Sequence, residues 1–363
     1  MGFSMEKEKI FDSVEDCVRD FAEGKIIIVA DDENRENEGD MIVAGSLITP
    51  EAVNTMLRHA RGLICIPTTS KRLTELGIDD MVRLNRDKKG TAYTVTVDAA
   101  EGITTGISAH DRATTIKAMA NPASTAADIS TPGHLNPLRA RDGGVLERAG
   151  HTEAAVDLAK LAGLPPCAAI CEIIKDDGTM ARIPDLVEFK KKHSMKLMSV
   201  ASLIEYRLRK ESLVREVSSR PFATRFGNFT LRVFRSADGR SHYALTMGEL
   251  DAAPTLVRVH SENVFADLFE SSDYPTSAAS SFSSAMEKIA REGRGALVYV
   301  SLPNSGISVP EGVAITPNVR DYGMGTQILR SLGLSKIRLL TTNVGAHFIP
   351  EGYGLEMVEE IKI

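Results

Sequence analysis

The sequence lacks any long apolar segment and any excess of positive charge. No apolar stretch in its 363 residues approaches the roughly 20 residues that cross a bilayer, because charge or glycine interrupts every candidate. Lysine and arginine total 43 against 49 aspartates and glutamates, a formal net charge of −6. We therefore expect neither a membrane protein nor a nucleic-acid binder that works through bulk charge. A small anionic ligand remains open, because it needs only a local basic pocket.

Cysteine is scarce and confined to the first half of the chain. The four cysteines, Cys17, Cys65, Cys167 and Cys171, fit neither a disulfide framework nor paired CxxC zinc ligands. Cys167 and Cys171 stand in an apolar run and are predicted to be buried. The opening residues are too acidic for a secretory signal, and Glu6 fails the myristoylation motif. These features predict a cytoplasmic protein.

The length of the chain predicts two domains, because it exceeds the size at which single cores stop growing. In the first half, apolar runs alternate with amphipathic stretches, which is typical of a layered α/β domain. Strands are predicted at 25–30, 62–67, 92–99 and 167–174. Helices are predicted at 49–60, 109–120 and 152–163, the last with Thr152 as its N-cap.

A polar stretch separates the two halves. A closing helix is predicted over 202–213, and the polar residues 214–221 end in a proline. We therefore assign residues 1–213 to the first domain and 214–363 to the second. Two strand-like runs around an Ala-Asp-Gly turn open the second half. Helices at 281–292 and 323–332 and strands at 296–302 and 336–343 follow.

The segment DDENRENEGD, residues 31–40, places six carboxylates and one arginine directly behind the apolar run KIIIVA. A solvated loop, a calcium loop of the EF-hand type and a magnesium site are the three interpretations. The EF-hand fails, because Asn37 and Val43 occupy positions that require glycine and glutamate. Open α/β sheets bind ligands at strand ends, and magnesium prefers one or two carboxylates plus substrate oxygens. Arg35 would lie beside such an ion.

A second stretch, GGVLERAGHTEAAVDLAKLAG, indicates a phosphate site. Arg148, Gly150, His151 and Thr152 fall at a helix N-terminus, where free N–H groups and the helix dipole favour an anion. Arg148 adds a bidentate donor. Plain N-capping by Thr152 beside an incidental histidine is the alternative.

Two further residues complete the pattern: His134 in STPGHLNPL and Glu172 at the end of an apolar strand. Each means little alone. With the acidic segment and the phosphate site, they predict metal-assisted proton abstraction from a phosphorylated sugar.

Residues 9–207 resemble the 3,4-dihydroxy-2-butanone 4-phosphate synthase family. The resemblance is carried by DDENRENEGD, EGITTGISAHDRATTI, PGHLNPLRARDGGVLERAGHTEAAVDL and CEIIKDDGTMAR. It implies an α/β sandwich that works as a homodimer with Mg²⁺ or Mn²⁺. It also implies conversion of D-ribulose 5-phosphate into L-3,4-dihydroxybutan-2-one 4-phosphate and formate.

The resemblance also implies roles for residues of this chain. It makes Glu36 and His151 metal-associated, and His134 and Glu172 catalytic. It places Cys65 and the segment 104–106 near the active site. The implied substrate-binding residues are Arg35, Glu36, Asp40, Arg148, Ala149, Gly150, His151, Thr152 and Glu172.

The second half resembles GTP cyclohydrolase II through RVHSE, EGRG, VRDYGMGTQILRSLGLSKIRLLTTN and EGYGLEMVE. That family binds zinc through three cysteines, the first directly after RVHSE. Here Asn263 stands at that position, and no cysteine follows Cys171. The segment 301–308 replaces an arginine-rich nucleotide loop, and Asn318 replaces an expected catalytic aspartate. We therefore expect an α+β domain that binds no zinc and does not hydrolyse GTP.

The preferred hypothesis is thus a synthase with a degenerate second domain. A bifunctional enzyme that also has GTP cyclohydrolase II activity is the first alternative. A non-catalytic scaffold is the second, and the complete set of site residues in the first half argues against it.

Overall fold

The structure, a computed structural model, describes residues 10–33, 35–87, 89–236, 238–269, 277–302, 319–342 and 355–363. The chain divides into two compact units, Met1–Tyr206 and Arg207–Ile363. This division falls a few residues before the boundary that we assigned after residue 213.

The first unit is built on one seven-stranded sheet of mixed direction. Its strands are β1 Ile27–Ala30, β2 Gly39–Ala44, β3 Cys65–Thr68, β4 Val97–Ala99, β5 Ile129–Arg139, β6 Ala168–Glu172 and β7 Leu197–Ser199. Across the sheet they lie in the order β4-β5-β3-β6-β2-β1-β7. The pair β1–β2 is antiparallel, and so is β2–β6, whereas β1–β7 and β3–β5 are parallel.

Burial explains why the central strands form. Every residue of β1, β2 and β3 is buried. Both faces of the sheet are therefore covered at these strands, which explains their apolar runs. Ile28, Met41 and Ile66 are fully buried members of one large apolar cluster. All four cysteines are free and buried, which confirms the prediction for Cys167 and Cys171.

Helices accompany this sheet. They are α1 Val14–Ala22, α2 Pro50–Thr55, α3 Ser70–Glu75, α4 Ala109–Ala120, α5 His151–Leu161, α6 Ile183–His193 and α7 Val200–Lys210. Thr49 caps α2, which continues as a π-helical turn, Met56–Ala60. Helix α4 has the predicted bounds, because the Ser108 hydroxyl accepts the N–H of Asp111 and starts the helix.

Two predictions about the first unit were wrong in detail. The N-cap of α5 is Gly150, which is extended at φ −117°, and Thr152 lies inside the first turn of the helix. Of the strand predicted at 92–99, only the last three residues, Val97–Ala99, form a strand. The strands β2, β5 and β7 and the helices α1, α3 and α6 were not predicted; β2 and β7 are short, and two prolines interrupt the pattern of β5.

The second unit is an α+β arrangement around another seven-stranded sheet. Its strands are β8 Val214–Thr224, β9 Gly227–Ser236, β10 Ser241–Met247, β11 Thr255–Ser261, β12 Gly295–Val300, β13 Lys336–Thr341 and β14 Glu356–Lys362, in the order β14-β13-β11-β12-β10-β9-β8. Its described helices are α8 Val264–Asp267, α9 Ser277–Glu292 and α10 Val319–Ser331.

The polar stretch 214–221 does not end a helix in the way predicted, because it belongs to strand β8. This strand lies at one edge of the sheet and pairs with β9 alone. Pro221 is tolerated there, since an edge strand has a neighbour on one side only and does not use every backbone N–H for hydrogen bonds between strands. No helix in the described parts of either unit is long and apolar enough to cross a membrane.

Candidate active site

The acidic segment forms the turn between β1 and β2, and Asp31 organises this turn from within. The Asp31 side chain is fully buried. Its carboxylate accepts the backbone N–H of Glu36 at 3.2 Å and of Glu38 at 2.8 Å. Arg35 donates from Nη1 to the same carboxylate at 2.7 Å and also pairs with Glu36. Arg35 therefore supplies positive charge inside the turn.

His151 lies in the first turn of α5 and faces this turn. It is only 6% exposed, and its Nε2 atom has no hydrogen-bond partner. Burial lowers the pKa of His151 to about 4, although the negative charge of Asp31 and Glu36 favours protonation. His151 is thus neutral at neutral pH, with a free lone pair on Nε2.

These groups form a cluster that fits a divalent cation. Asp31, Glu36 and His151 each offer one ligand atom, and these atoms all lie within 4.8 Å of one another. Two carboxylates and a neutral imidazole are suitable ligands. Glu36 and His151 were predicted and Asp31 was missed. Its position as the first residue after a buried strand was the signal that could have identified it.

Asp40 and Glu172 lie side by side next to the cluster. The register of β2 and β6 pairs Asp40 with Glu172 directly. Asp40 is 2% exposed, its Oδ1 has no hydrogen-bond partner, and His151 Nδ1 lies 3.8 Å from it. Burial, and then the negative charge of Glu172, raise the pKa of Asp40 well above its usual range. Asp40 can therefore hold a proton under conditions where an ordinary aspartate is ionised.

The Glu172 carboxylate is oriented by the backbone before β3. Its Oε2 atom accepts the N–H of Leu63 at 2.8 Å. A Cβ atom on Gly62 would lie only 2.5 Å from the same oxygen, so glycine is required for this approach. The side chain thus occupies a fixed position at the end of β6.

Two guanidinium groups meet at the N-terminus of α5. A Cβ atom on Gly150 would lie 2.5 Å from Arg148 Nη1 and 2.8 Å from Arg35 Nη2. Arg148 is held by Glu153 at 2.6 Å and by the Thr91 hydroxyl at 2.9 Å. Two arginines at a helix N-terminus form a suitable site for a phosphate. Ala149 and Thr152 belong to the same stretch around the N-cap. Glu153 and Thr91 were not predicted.

His134 lies on β5 and is paired with Asp98. Its Nδ1 atom lies 2.6 Å from Asp98 Oδ2, and its backbone N–H donates to Asp98 Oδ1 at 3.0 Å. Asp98 was not predicted. It fixes the imidazole and leaves Nε2 as the nitrogen for proton transfer. Within the described chain, the hydrogen bonds of His134 go to Asp98 and not to the metal-binding cluster.

The sheet register relates His134 to Glu172. Cys65 on β3 pairs with Asn136 on one side and with Ile170 on the other. Because β5 runs parallel to β3 and β6 antiparallel, His134 and Glu172 extend toward the same end of the sheet. The two predicted catalytic residues are therefore separated by a single strand.

The segment 104–106 packs against the His134–Asp98 pair. Gly106 has φ +91°, and a Cβ atom there would lie 2.5 Å from both Asp98 Oδ2 and His134 Nδ1. Asp111 holds the segment by accepting the Thr104 hydroxyl at 2.7 Å and the Gly106 N–H at 3.1 Å. These contacts bring the segment to the site that the sequence predicted for it.

Cys65 lies in the same part of the sheet but is unsuited to nucleophilic chemistry. It is 1% exposed, and burial raises the pKa of its thiol.

In the second unit, polar groups of RVHSE and of the segment that follows it converge on Asp267, while His260 Nδ1 is buried without a hydrogen-bond partner. Asp267 accepts hydrogen bonds from His260 Nε2 at 2.8 Å, from the Asn263 N–H at 2.9 Å and from the Tyr299 hydroxyl at 2.8 Å. Asn263 also caps α8. Among the described residues, the cluster able to hold a metal ion is the one in the first unit. Asn318 and the segment 303–308 lie outside the described residues.

Comparisons with known proteins agree with this arrangement. The family model for 3,4-dihydroxy-2-butanone 4-phosphate synthase matches residues 15–206, and that for GTP cyclohydrolase II matches residues 214–362. The riboflavin biosynthesis protein RibBA of Aquifex aeolicus is 46% identical, with 99% of this chain and 94% of that protein aligned. RibBA of Bacillus cereus is 44% identical, with 98% and 94% aligned.

Solved structures extend the comparison. The crystal structure of RibBX, a two-domain 3,4-dihydroxy-2-butanone 4-phosphate synthase from A. baumannii, matches with a TM-score of 0.77 and 39% identity, over 97% of this chain and 99% of that one. A synthase in complex with two magnesium ions matches with a TM-score of 0.54 and 41% identity, over 55% of this chain and 98% of that one. The chain therefore belongs to the 3,4-dihydroxy-2-butanone 4-phosphate synthase family and carries a GTP cyclohydrolase II-like second half.

Proposed function

We propose that this chain converts D-ribulose 5-phosphate into L-3,4-dihydroxybutan-2-one 4-phosphate and formate, a step of riboflavin biosynthesis. The observation that carries the proposal is the buried, unpartnered Nε2 atom of His151 beside Asp31 and Glu36. The paired guanidinium groups of Arg35 and Arg148 lie at the N-terminus of the same helix. A sugar phosphate can therefore place its phosphate on the arginines and its oxygens toward the carboxylates.

Glu36 and His151 would hold a divalent cation, magnesium or manganese, and Asp31 adds a third donor to the same cluster. When bound, such a cation stabilises negative charge on neighbouring substrate oxygens. The synthase solved with two magnesium ions supports this assignment.

The remaining residues move protons. A base must remove the proton next to the ketone, and Glu172, held by the Leu63 N–H, is oriented to do so. His134, fixed by Asp98, provides a second acid/base group. Asp40, whose pKa is raised by burial and by Glu172, can retain a proton beside them. Loss of water, rearrangement of the carbon skeleton and release of formate all require such repeated transfers.

We further propose that the second unit does not hydrolyse GTP. No cysteine follows Cys171, so zinc cannot be held there by thiolates. The carboxylate of Asp267 already accepts three hydrogen bonds. The proposal extends to a cytoplasmic homodimer that binds neither nucleic acid nor membrane. A bifunctional enzyme remains the competing hypothesis, because relatives named RibBA align over nearly the whole chain.

The decisive experiment is incubation of the purified chain with ribulose 5-phosphate and Mg²⁺, with formate followed over time. We expect formate from the wild type and none from a Glu172→Gln control. Formate at the level of that control would refute the synthase assignment. Release of pyrophosphate from GTP would favour the bifunctional alternative.

A further inference from the structure

Arg182 holds the turn that carries Glu36. Its Nη1 atom donates to the carbonyl oxygen of Glu36 at 2.7 Å and also to the carbonyl oxygen of Asn37. One guanidinium nitrogen therefore joins two successive peptide groups, and the first belongs to a proposed metal ligand. Arg182 is the last residue of the motif CEIIKDDGTMAR, but no role was predicted for it from the sequence.

The turn needs such a donor because its own backbone does not satisfy these carbonyls. The N–H groups of Arg35 and Asn37 both donate to the carbonyl of Asp32, at 2.9 and 3.2 Å. Asn37 has φ 56°, a left-handed conformation that costs free energy for a residue with a side chain. The carbonyl of Arg35 is in turn held by Lys89. Basic side chains thus donate hydrogen bonds to three consecutive carbonyl oxygens of this turn, whose carboxylates repel one another.

Arg182 itself is fixed by the start of α6. Its backbone N–H donates to Asp185 at 2.9 Å, and Pro184 stands in the first turn of the helix. Leu186 packs so closely on the first residue of β2 that a Cβ atom on Gly39 would lie 2.4 Å from Leu186 Cδ1. The start of α6 therefore packs firmly on the sheet and holds the backbone of Arg182 in place, so that its side chain reaches the turn.

We propose that Arg182 is a positioning residue that sets the geometry of the metal-binding cluster through the Glu36 peptide. This inference rests on the proposed function, since it concerns the same cluster. With the guanidinium present, the Glu36 carboxylate is directed toward His151 and Asp31. Without it, repulsion among the carboxylates lets the turn relax, while α6 and the sheet keep their packing.

The test measures Mn²⁺ binding by the full-length protein without substrate, from the free-ion signal in electron paramagnetic resonance. The variants are Arg182→Met and Arg182→Lys. The matched control is Lys191→Met, which removes an exposed cation from the same helix, where it pairs with the exposed Glu188. We expect the Kd for Mn²⁺ to rise by about 10- to 100-fold in Arg182→Met, which is the usual effect of losing an outer-sphere partner.

Arg182→Lys keeps a donor and should give an intermediate Kd, and Lys191→Met should match the wild type. The Mg²⁺ activation constant for formate release should rise more than the KM for ribulose 5-phosphate. In a Glu36→Gln background, adding Arg182→Met should weaken Mn²⁺ binding no further, because the residue acts through Glu36. A purely structural role would instead lower the thermal midpoint in both backgrounds.

The outcomes separate this inference from the proposed function. If the wild type binds Mn²⁺ and releases formate, and folded Arg182→Met binds Mn²⁺ within twofold of it, the positioning role is wrong and the function stands. If Arg182→Met does not fold, an unchanged Kd in Arg182→Lys overturns the inference in the same way. If the wild type releases no formate with Mg²⁺, the proposed function is wrong and the inference is lost with it.

Discussion

At the scale of single residues, the site depends on polar atoms that burial leaves without a partner. His151 Nε2 and Asp40 Oδ1 are both buried and make no hydrogen bond. Such atoms destabilise a fold by about 1–3 kcal/mol each unless a ligand satisfies them. Both atoms face the turn that carries Glu36. The same two unpartnered atoms therefore favour binding of a ligand there and lower the stability of the fold in its absence.

Replacing His151 with Asn should abolish formate release while leaving the protein folded. The substitution removes the imidazole lone pair from the cluster but no apolar packing. We expect a loss of at least about 100-fold in kcat/KM, with a thermal midpoint near that of the wild type. The control is His110→Asn, an exposed histidine on α4. Activity that survives in His151→Asn would show that His151 is not a metal ligand.

Replacing Asp98 with Asn tests the second histidine. The change keeps the shape of the side chain but removes the carboxylate that fixes His134 Nδ1. We expect kcat for formate release to fall by about 100-fold and the KM for ribulose 5-phosphate to change little, because the phosphate site is untouched. Asp80→Asn, which disrupts a surface pair with Arg139, is the matched control. A KM effect without a kcat effect would assign Asp98 to substrate binding instead.

At the scale of elements, the site forms where the β1–β2 turn, the start of α5 and the end of β6 come together. The turn supplies Asp31, Arg35 and Glu36. The start of α5 supplies Arg148 and His151, and β6 supplies Glu172. The start of α6 adds the support that Arg182 transmits to the turn. Loss of any one element would therefore disturb several functional groups together.

Asp12 makes the packing of these elements dependent on pH. Burial opposes its charge, but the Leu197 N–H and the Lys190 ammonium outweigh that penalty, so the pKa of Asp12 is lowered. These bonds connect the start of the described chain to β7 and α6. A lowered folded-state pKa means that the stabilisation is complete above the ordinary value near 3.9 and is lost as pH falls below it.

Asp12→Asn should accordingly lower the free energy of unfolding at pH 7 by about 1–2 kcal/mol. The difference from the wild type should shrink as the pH falls below about 4, because the unfolded wild-type chain binds a proton at Asp12 there, and the folded carboxyl follows below its lowered pKa. Urea unfolding at several pH values measures both quantities. A difference that is constant from pH 7 to pH 3 would assign the effect to packing and not to charge.

At the scale of the whole molecule, the two units resemble enzymes with different metals. The cluster of the first unit consists of carboxylates and one imidazole, which suit magnesium or manganese. In the second unit, His260, Asn263 and Tyr299 donate to Asp267, and the described residues around RVHSE offer no comparable cluster of metal ligands. The two halves should therefore differ in their need for metal.

Metal analysis of the full-length chain tests this difference. We expect much less than one zinc per chain after purification without added metal. Removal of metals with a chelator should stop formate release, and Mg²⁺ alone should restore it. Stoichiometric zinc together with pyrophosphate release from GTP would establish the bifunctional enzyme instead.

The sequence by itself determined the layered first unit, the buried strands β1 and β3 and the family to which the chain belongs. Local information was sufficient here, because apolar runs such as KIIIVA and long motifs such as DDENRENEGD carry their signal within a few residues. The resemblance carried by these motifs implied metal roles for Glu36 and His151, and in the structure ligand atoms of both lie within 4.8 Å of one of Asp31.

Only the tertiary structure decided which distant groups support the site. The pairing of Asp98 with His134, the contact of Thr91 with Arg148 and the contact of Arg182 with the turn connect residues far apart in sequence. The N-cap of α5 is Gly150 and not Thr152, and the two arginines beside it leave no room for a side chain at residue 150. Such contacts depend on how strands and helices pack, and no local pattern of residues encodes that packing.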